Sequence, residues 1–466
     1  MRPASVRILV ALLSTCGPLL VQAQQREFDL PAADSAAKGT ALAEVMRKGQ
    51  VEGRFRQFNM VTVNDGTPSD PWAVAFGGTL GYASARWHRL QFKLSGGYTF
   101  DLTNSGLNEP DPSTGQLSRY ELGLYDVTDP RVRNDVAYLQ LFQLNYMSPR
   151  TSVVFGRQEL NTPFLNPQDG RMHPTLFEGV WTVHRLKGGT RIEGGWLYRA
   201  APRSTAGWYG IERSMSLYPS GIGVNGKPSA YATHLRSPGI FIAGVEHTFR
   251  DLVKVSAWEQ AVPAIFNTAL VQAEVARKGR RWGVGLQGIR QDALANDLAD
   301  SLAYMPACAG TWVLGGRFRM DHGPFRWQLN YTRIAAEGRF LMPREWGREP
   351  LYTFLPRERN EGLGDVHAAS LNLIWKDLVP GLRLQADAGV YLLPAITDAR
   401  LNKYAMPSYH QFDLNAQYQF QGAWKGLAAQ VLVLAKVPLN DDPLTAKQAY
   451  NKVDMLHGEL IINYIF

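Results

Sequence analysis

The last eleven residues, Leu456 to Phe466, read LHGELIINYIF. Leu456, Leu460, Ile462, Tyr464 and Phe466 fall on one side of a two-residue alternation, with His457, Glu459 and Asn463 on the other. A period of two belongs to a strand with chemically different faces, not to a helix. Apolar residues on one face, polar residues on the other and an aromatic final residue describe the closing strand of a transmembrane β-barrel. Such a barrel has its apolar face in lipid and its polar face in the lumen. The terminal Phe also fits the signal read by the barrel-assembly machinery of Gram-negative bacteria.

The start of the chain agrees with export. Arg2 and Arg7 precede the apolar run Ile8 to Leu13, and a second run leads to Val21-Gln22-Ala23. This is a basic region, a short hydrophobic region and a small-residue cleavage site, so residues 1–23 read as a signal peptide. No later run approaches the roughly 18 apolar residues that a membrane helix needs. Cleavage removes Cys16 and leaves Cys308 alone, which excludes an intrachain disulfide. Losing Arg2 and Arg7 takes Lys plus Arg from 49 to 47 against 41 acids, a net charge of +6. That dispersed excess does not point to nucleic acid.

Residues 24–50 read as a periplasmic lead-in or partial plug, with a short amphipathic helix around Ala41 to Arg47. From Val51 onward, runs of strand length follow one another to the end of the chain. They begin with Val51–Val63, Ala75–Ala85 and Leu90–Phe100, and finish with Gly426–Ala435 and Val453–Phe466. About eighteen strands result, with eight short turns alternating with nine longer loops. The fold expected is all-β, an antiparallel transmembrane barrel over residues 51–466 with both termini on the periplasmic side of the outer membrane. A barrel of that size encloses a water-wide lumen, and inserted loops are needed if it is to discriminate among solutes.

Strand parity then assigns the lumen. Leu382, Leu384 and Ala386 face lipid, so Arg383 faces inward with Gln385 and Asp387. The same rule turns Arg326 inward against Phe325 and Trp327, Arg317 and Arg319 against Leu314 and Phe318, Arg191 against Ile192 and Trp196, and Arg54 and Arg56 against Phe55. A charge on the lipid face at mid-membrane costs about 2–4 kcal/mol, so these arginines belong in water inside the wall. Guanidinium groups stay charged and hold carboxylates bidentately, so spaced arginines offer an anion successive weak sites.

Two loops break the strand rhythm. GRQELNTPFLNPQDGRMHPTLFEG, from Gly156 to Gly179, contains three prolines yet carries Phe164, Leu165, Met172, Leu176 and Phe177 as apolar anchors. It either turns inward to narrow a pore or folds over the rim. Arg344 to Asp365 is dense in alternating charge, and suits either a solvated loop or a second part of a constriction. The first stretch, notably Asp169-Gly170-Arg171-Met172-His173-Pro174 followed by Phe177-Glu178-Gly179, resembles the inward-folding third loop of the OprD family of substrate-specific outer-membrane porins. The second is similar in placement to that family's seventh loop. The resemblance implies diffusion of small carboxylates, such as amino acids, organic acids or short peptides, along a basic ladder set against an acidic pocket. By motif position it implies Arg157 and Arg171 for the ladder, and Asp169 and Glu178 for the acidic side. Partners expected are outer-membrane lipid and lipopolysaccharide, small solutes and the assembly machinery, with the protein a monomer or a homotrimer.

Two rivals remain: a general or oligosaccharide-type porin, and an outer-membrane barrel hydrolase. The chain has no His-Glu-x-x-His and no Gly-x-Ser-x-Gly, and its nine histidines are scattered without metal-ligand spacing. Gly221-Ile222-Gly223-Val224-Asn225-Gly226 matches a dinucleotide fingerprint, but it lies between Pro219 and Pro228 and reads as turn glycine. No catalytic residue, metal ligand or cofactor is therefore expected.

Overall fold

In the computed structural model the described residues are 41–129, 135–168, 171–250, 252–275, 281–357, 359–376, 378–439 and 443–466. The expected signal peptide and residues 24–40 lie outside them. Helix α1 (Leu42–Arg47) leads into β1 (Gln50–Asn64), β2 (Trp72–Ala83), β3 (Leu90–Asn104), β4 (Val136–Met147), β5 (Thr151–Gln158), β6 (Leu176–Arg185) and β7 (Arg191–Ala201). Then come β8 (Tyr209–Gly210), β9 (Ile240–Phe249), β10 (Val253–Val262), β11 (Phe266–Val275), β12 (Trp282–Ala293) and β13 (Gly310–His322). The chain finishes with β14 (Phe325–Ile334), β15 (Val366–Trp375), β16 (Leu382–Leu392), β17 (Tyr409–Gln419), β18 (Leu427–Pro438) and β19 (Met455–Ile465).

Strand β8 is a two-residue ribbon on the edge of β7. The other eighteen strands form one antiparallel sheet that closes on itself, because β1 pairs with both β2 and β19. The seam runs from Arg54 opposite Ile465 to Asn64 opposite Met455. At its end the N–H groups of Gly53 and Phe466 each donate to the other residue's carbonyl at 3.0 Å, and Phe466 stacks on Phe55 with ring centroids 5.5 Å apart. Closure satisfies every strand edge, as hydrocarbon requires.

Short turns and long loops alternate as expected with one exception. The fifth connection on the long-loop side has only residues 263–265, because pairing continues from Ala261–Asn267 to Val262–Phe266 before Ile265 turns back onto Val262. Parity divides the faces as the alternation predicts: Leu314, Leu329 and Leu414 are exposed on the outside, while Arg54, Arg56 and Asp413 are buried inside. The inner face also carries apolar side chains. Phe58, Met60, Ala73 and Ala75 are buried against Leu122, Leu124, Tyr125 and Met172 of the second and third loops. On the opposite side Phe164, Leu165 and Trp346 pack with Phe266, Tyr304 and Val313. The hydrophobic core of this protein thus lies within its barrel, made by loops against wall.

One backbone position marks where strand gives way to loop. Gly156 in β5 has φ +113, and a Cβ there would stand 2.2 Å from the carbonyl oxygen of Phe142 on the paired strand. Gly156→Ala should lower stability by about 1–3 kcal/mol through backbone strain. Gly316→Ala, where nothing lies within 4 Å of the added atom, should stay within about 0.5 kcal/mol. Urea titration in lipid micelles, read by the heat-modifiable gel shift of the folded barrel, compares the two.

Candidate functional site: a cationic passage between loops and wall

The third loop, 159–175, goes inward, and its sequence shows how. Thr162 closes a turn around Pro163, accepting from the Leu165 N–H at 2.9 Å while its own N–H donates to the Leu165 carbonyl at 2.7 Å. The turn pushes Phe164 and Leu165, both essentially inaccessible, into the apolar core. Beyond it the loop is clasped to the seventh loop, 335–365. The Asn166 side chain accepts from the Arg348 N–H at 3.0 Å and donates to its carbonyl at 2.9 Å. Gln168 donates to the Arg344 carbonyl at 2.7 Å and accepts from the Arg359 guanidinium at 2.5 Å. Thr175 donates to the Glu345 carbonyl at 3.2 Å. The fourth loop locks the pair, with Trp346 Nε1 donating to Ser214 Oγ at 2.7 Å.

The far side of the third loop hangs from β1. Arg56 donates to the Arg171 carbonyl and to Asn463 Oδ1, the latter at 2.6 Å, and Arg54 donates to the Met172 carbonyl at 3.4 Å. Arg171 in turn donates to the Tyr120 carbonyl of the second loop at 3.0 Å. Its Nη1 sits 1.3 Å from where a Gly123 Cβ would be, so any larger residue at 123 would displace the guanidinium.

What these contacts leave open is a cavity of about 1580 Å³, reaching from second- and ninth-loop residues such as Arg119 and Lys452 to Lys425 and Ile465 at the short-turn end. Its cationic lining is Arg54, Arg56, Arg119, Arg171, Arg203, Arg344, Arg348, Arg357, Arg359, Lys403, Lys425 and Lys452. Among the described residues that line it, Glu459 is the one carboxylate, and it is ion-paired to Arg357. Acids of the seventh loop sit behind this lining. Glu345 and Glu349 are both pushed up to about 7 by burial. Burial pulls Lys403 down to about 8, with its Nζ 4.9 Å from the Tyr304 ring centroid and 5.4 Å from those of Tyr231 and Tyr404. Burial would raise Glu361 too, but Arg344 and Lys403 hold it below the usual carboxylate range.

The sequence-predicted residues therefore separate into groups. Arg54, Arg56 and Arg171 meet in the passage. Arg317, Arg319, Arg326 and Arg383 face the lumen toward the short-turn end, outside the cavity lining, each with a local partner. Arg317 donates to Asn330 at 2.9 Å and lies over the Tyr352 ring, Arg319 and Arg326 share Asp321 at 3.3 and 2.5 Å, and Arg383 donates to Gln385 at 2.5 Å. Arg191 pairs with Glu193 at 2.7 Å beside the turn before β7.

Arg157 and Glu178 are corrected. Arg157 lies on the same side of β5 as exposed Phe155, opposite Glu178 in the register, while the buried Gln158 takes the inner side. The two form a 3.3 Å ion pair on the outer wall, with Arg157 over the Trp208 ring and Tyr198 donating to Glu178. Asp169 lies outside the described residues. The residues that sequence reasoning missed, Arg119, Arg203, Lys403, Lys425 and Lys452, sit on connections with no periodicity to assign them. Only Arg344, Arg348, Arg357 and Arg359 carried a signal, the charge density of their stretch. Gly221 to Gly226 is a tight hairpin, with the Gly223 N–H on the Lys227 carbonyl at 2.8 Å.

No family model and no curated protein sequence matches the chain. Solved structures do. OccK9 (OpdG) of Pseudomonas aeruginosa is 17% identical with a TM-score of 0.69, and the match covers 91% of this chain and 99% of that one. OpdK of the same organism, solved with vanillate, is 14% identical with a TM-score of 0.67 over 91% and 99% of the two chains. OccK2 (OpdF), also from that organism and solved with glucuronate, is 13% identical with a TM-score of 0.64 over the same shares. The resemblance seen in the loops is borne out at the level of fold: this chain is a closed antiparallel β-barrel of eighteen long strands with the fold of OprD-type porins.

Proposed function

We propose that the protein is a channel for passive, selective diffusion of small carboxylate-bearing solutes through its arginine-lined passage. The observation that carries this reading is the lining itself: among the described residues, twelve lysine and arginine side chains stand against one carboxylate, which is already paired. Within a low-dielectric wall such a set concentrates anions and repels cations. Because the cations are spread along the passage, an anion passes between several weak sites in place of one tight one, which conduction requires. The fold neighbours solved with vanillate and glucuronate hold carboxylates, which supports the same solute class here.

Arg54 and Arg56 have two tasks in this reading. They present guanidinium charge to the passage, and they hold the backbone of the third loop at Arg171 and Met172. A general porin would admit neutral sugars of matched size as fast as carboxylates.

Liposome swelling with both solute types tests the proposal: carboxylates should enter several-fold faster, and equal rates would contradict it. In planar bilayers Arg54→Gln/Arg56→Gln should raise the half-blocking concentration of a carboxylate about tenfold, equivalent to about 1.4 kcal/mol of lost binding.

The seventh loop adds a pH dependence. Glu345 and Glu349 are raised to about 7 in the packed loop from the ordinary 4.5, so packing is favoured below the unpacked value and loses that contribution as pH rises through about 7. Open-channel current fluctuations should therefore increase between pH 5 and pH 8, and Glu345→Gln should flatten that rise.

A further inference from the structure

The lipid-facing surface has one polar interruption at its middle. Gln57 is the central residue of β1, and Asn59 follows it on the same face. Both share the outward side of exposed Phe55 and Val61. Their cross-strand neighbours are Phe76 and Val74 on β2, and Ile462 and Leu460 on β19. Polar groups elsewhere on the outer face, such as Arg157, Glu259, Arg290 and His410, lie at strand ends. Between the rims, among the described residues, no other side-chain amide or charge faces outward.

Local bonds use part of this pair. Gln57 Nε2 donates to Asn59 Oδ1 at 3.2 Å, and Asn59 Nδ2 donates across the seam to the Leu460 carbonyl at 3.0 Å. One N–H on each amide and the Gln57 Oε1 are left without a partner among the described residues, on a face where no water can pair them. Polar groups so placed mark contacts between membrane proteins.

The depth of the pair identifies the partner. Copies related by an axis along the membrane normal keep every residue at its own depth, so a mid-membrane amide meets only mid-membrane groups. The amides this chain offers at that depth are Gln57 and Asn59 themselves, and a carboxamide is complementary to a second carboxamide, since each donates and accepts. A two-fold axis brings the patch onto its own copy. A ring of three round barrels would instead face it with a different, apolar part of the wall. We propose that the chain forms a two-fold dimer through the outer face of β19–β1–β2, centred on Gln57 and Asn59.

The test uses the full-length protein in native outer membranes, with the exposed Cys308 removed as Cys308→Ser. Val61→Cys, next to the patch on the same face, should be captured as a dimer by a short bismaleimide, and Leu329→Cys on the far wall should not. Adding Gln57→Leu/Asn59→Leu should abolish capture and weaken dimerisation at least tenfold by mass photometry in nanodiscs, with the heat-modifiable gel shift verifying a folded barrel. A monomer in both assays, a trimer, or a leucine variant that dimerises like the parent would overturn the proposal.

Discussion

The lumen of this barrel depends on a constraint common to any chain segment taken out of water: the backbone groups of the third and seventh loops must find partners inside. They find them in two directions. Asn166, Gln168 and Thr175 bind the seventh loop, and the arginines of β1 hold the carbonyls of Arg171 and Met172. An unpaired buried polar group costs about 1–3 kcal/mol, so each clasp fixes the loop by the penalty of breaking it. Because the apolar anchors fill one side of the lumen, the passage runs eccentrically along β1, β17, β18 and β19. The charge that lines the passage and the charge that supports its loop are partly the same charge.

The buried cations and acids form a graded arrangement. Among the described residues, the charged side chains on the passage are nearly all positive, and compensating acids such as Glu345, Glu349 and Glu361 sit in the second layer within the seventh loop. Arg344 bridges the layers, paired to Glu361 and stacked 3.8 Å from the Tyr404 ring centroid. Acids in the second layer keep loop cations charged in a low-dielectric setting without competing for an anion in the passage. An acidic pocket facing the solute, as the loop resemblance implied, is not formed by Glu178, which is on the outer wall.

Much of the fold was legible because a lipid-facing strand must alternate. Period two located all eighteen spanning strands, and parity put Arg54, Arg56, Arg317, Arg319, Arg326 and Arg383 inside. Parity alone was silent on which inward arginines share the passage, since that depends on where loops block the lumen. Arg157 is instructive. Its assignment rested on loop likeness, whereas the alternation through Val153 and Phe155 turns it outward. Lys403 and Arg203 lie on irregular loops, and their positions follow from tertiary packing that no local pattern encodes. The apolar anchors Phe164 and Leu165 did foretell the inward turn, because a solvated loop has no use for two adjacent large apolar side chains.

The central claim is that the passage selects by positive charge. The reversal potential of the purified channel in planar bilayers under a tenfold potassium chloride gradient measures it most directly. A potential of the sign set by chloride, collapsing toward zero in Arg54→Gln/Arg56→Gln, is the predicted result. A potential of the sign set by potassium would contradict the account.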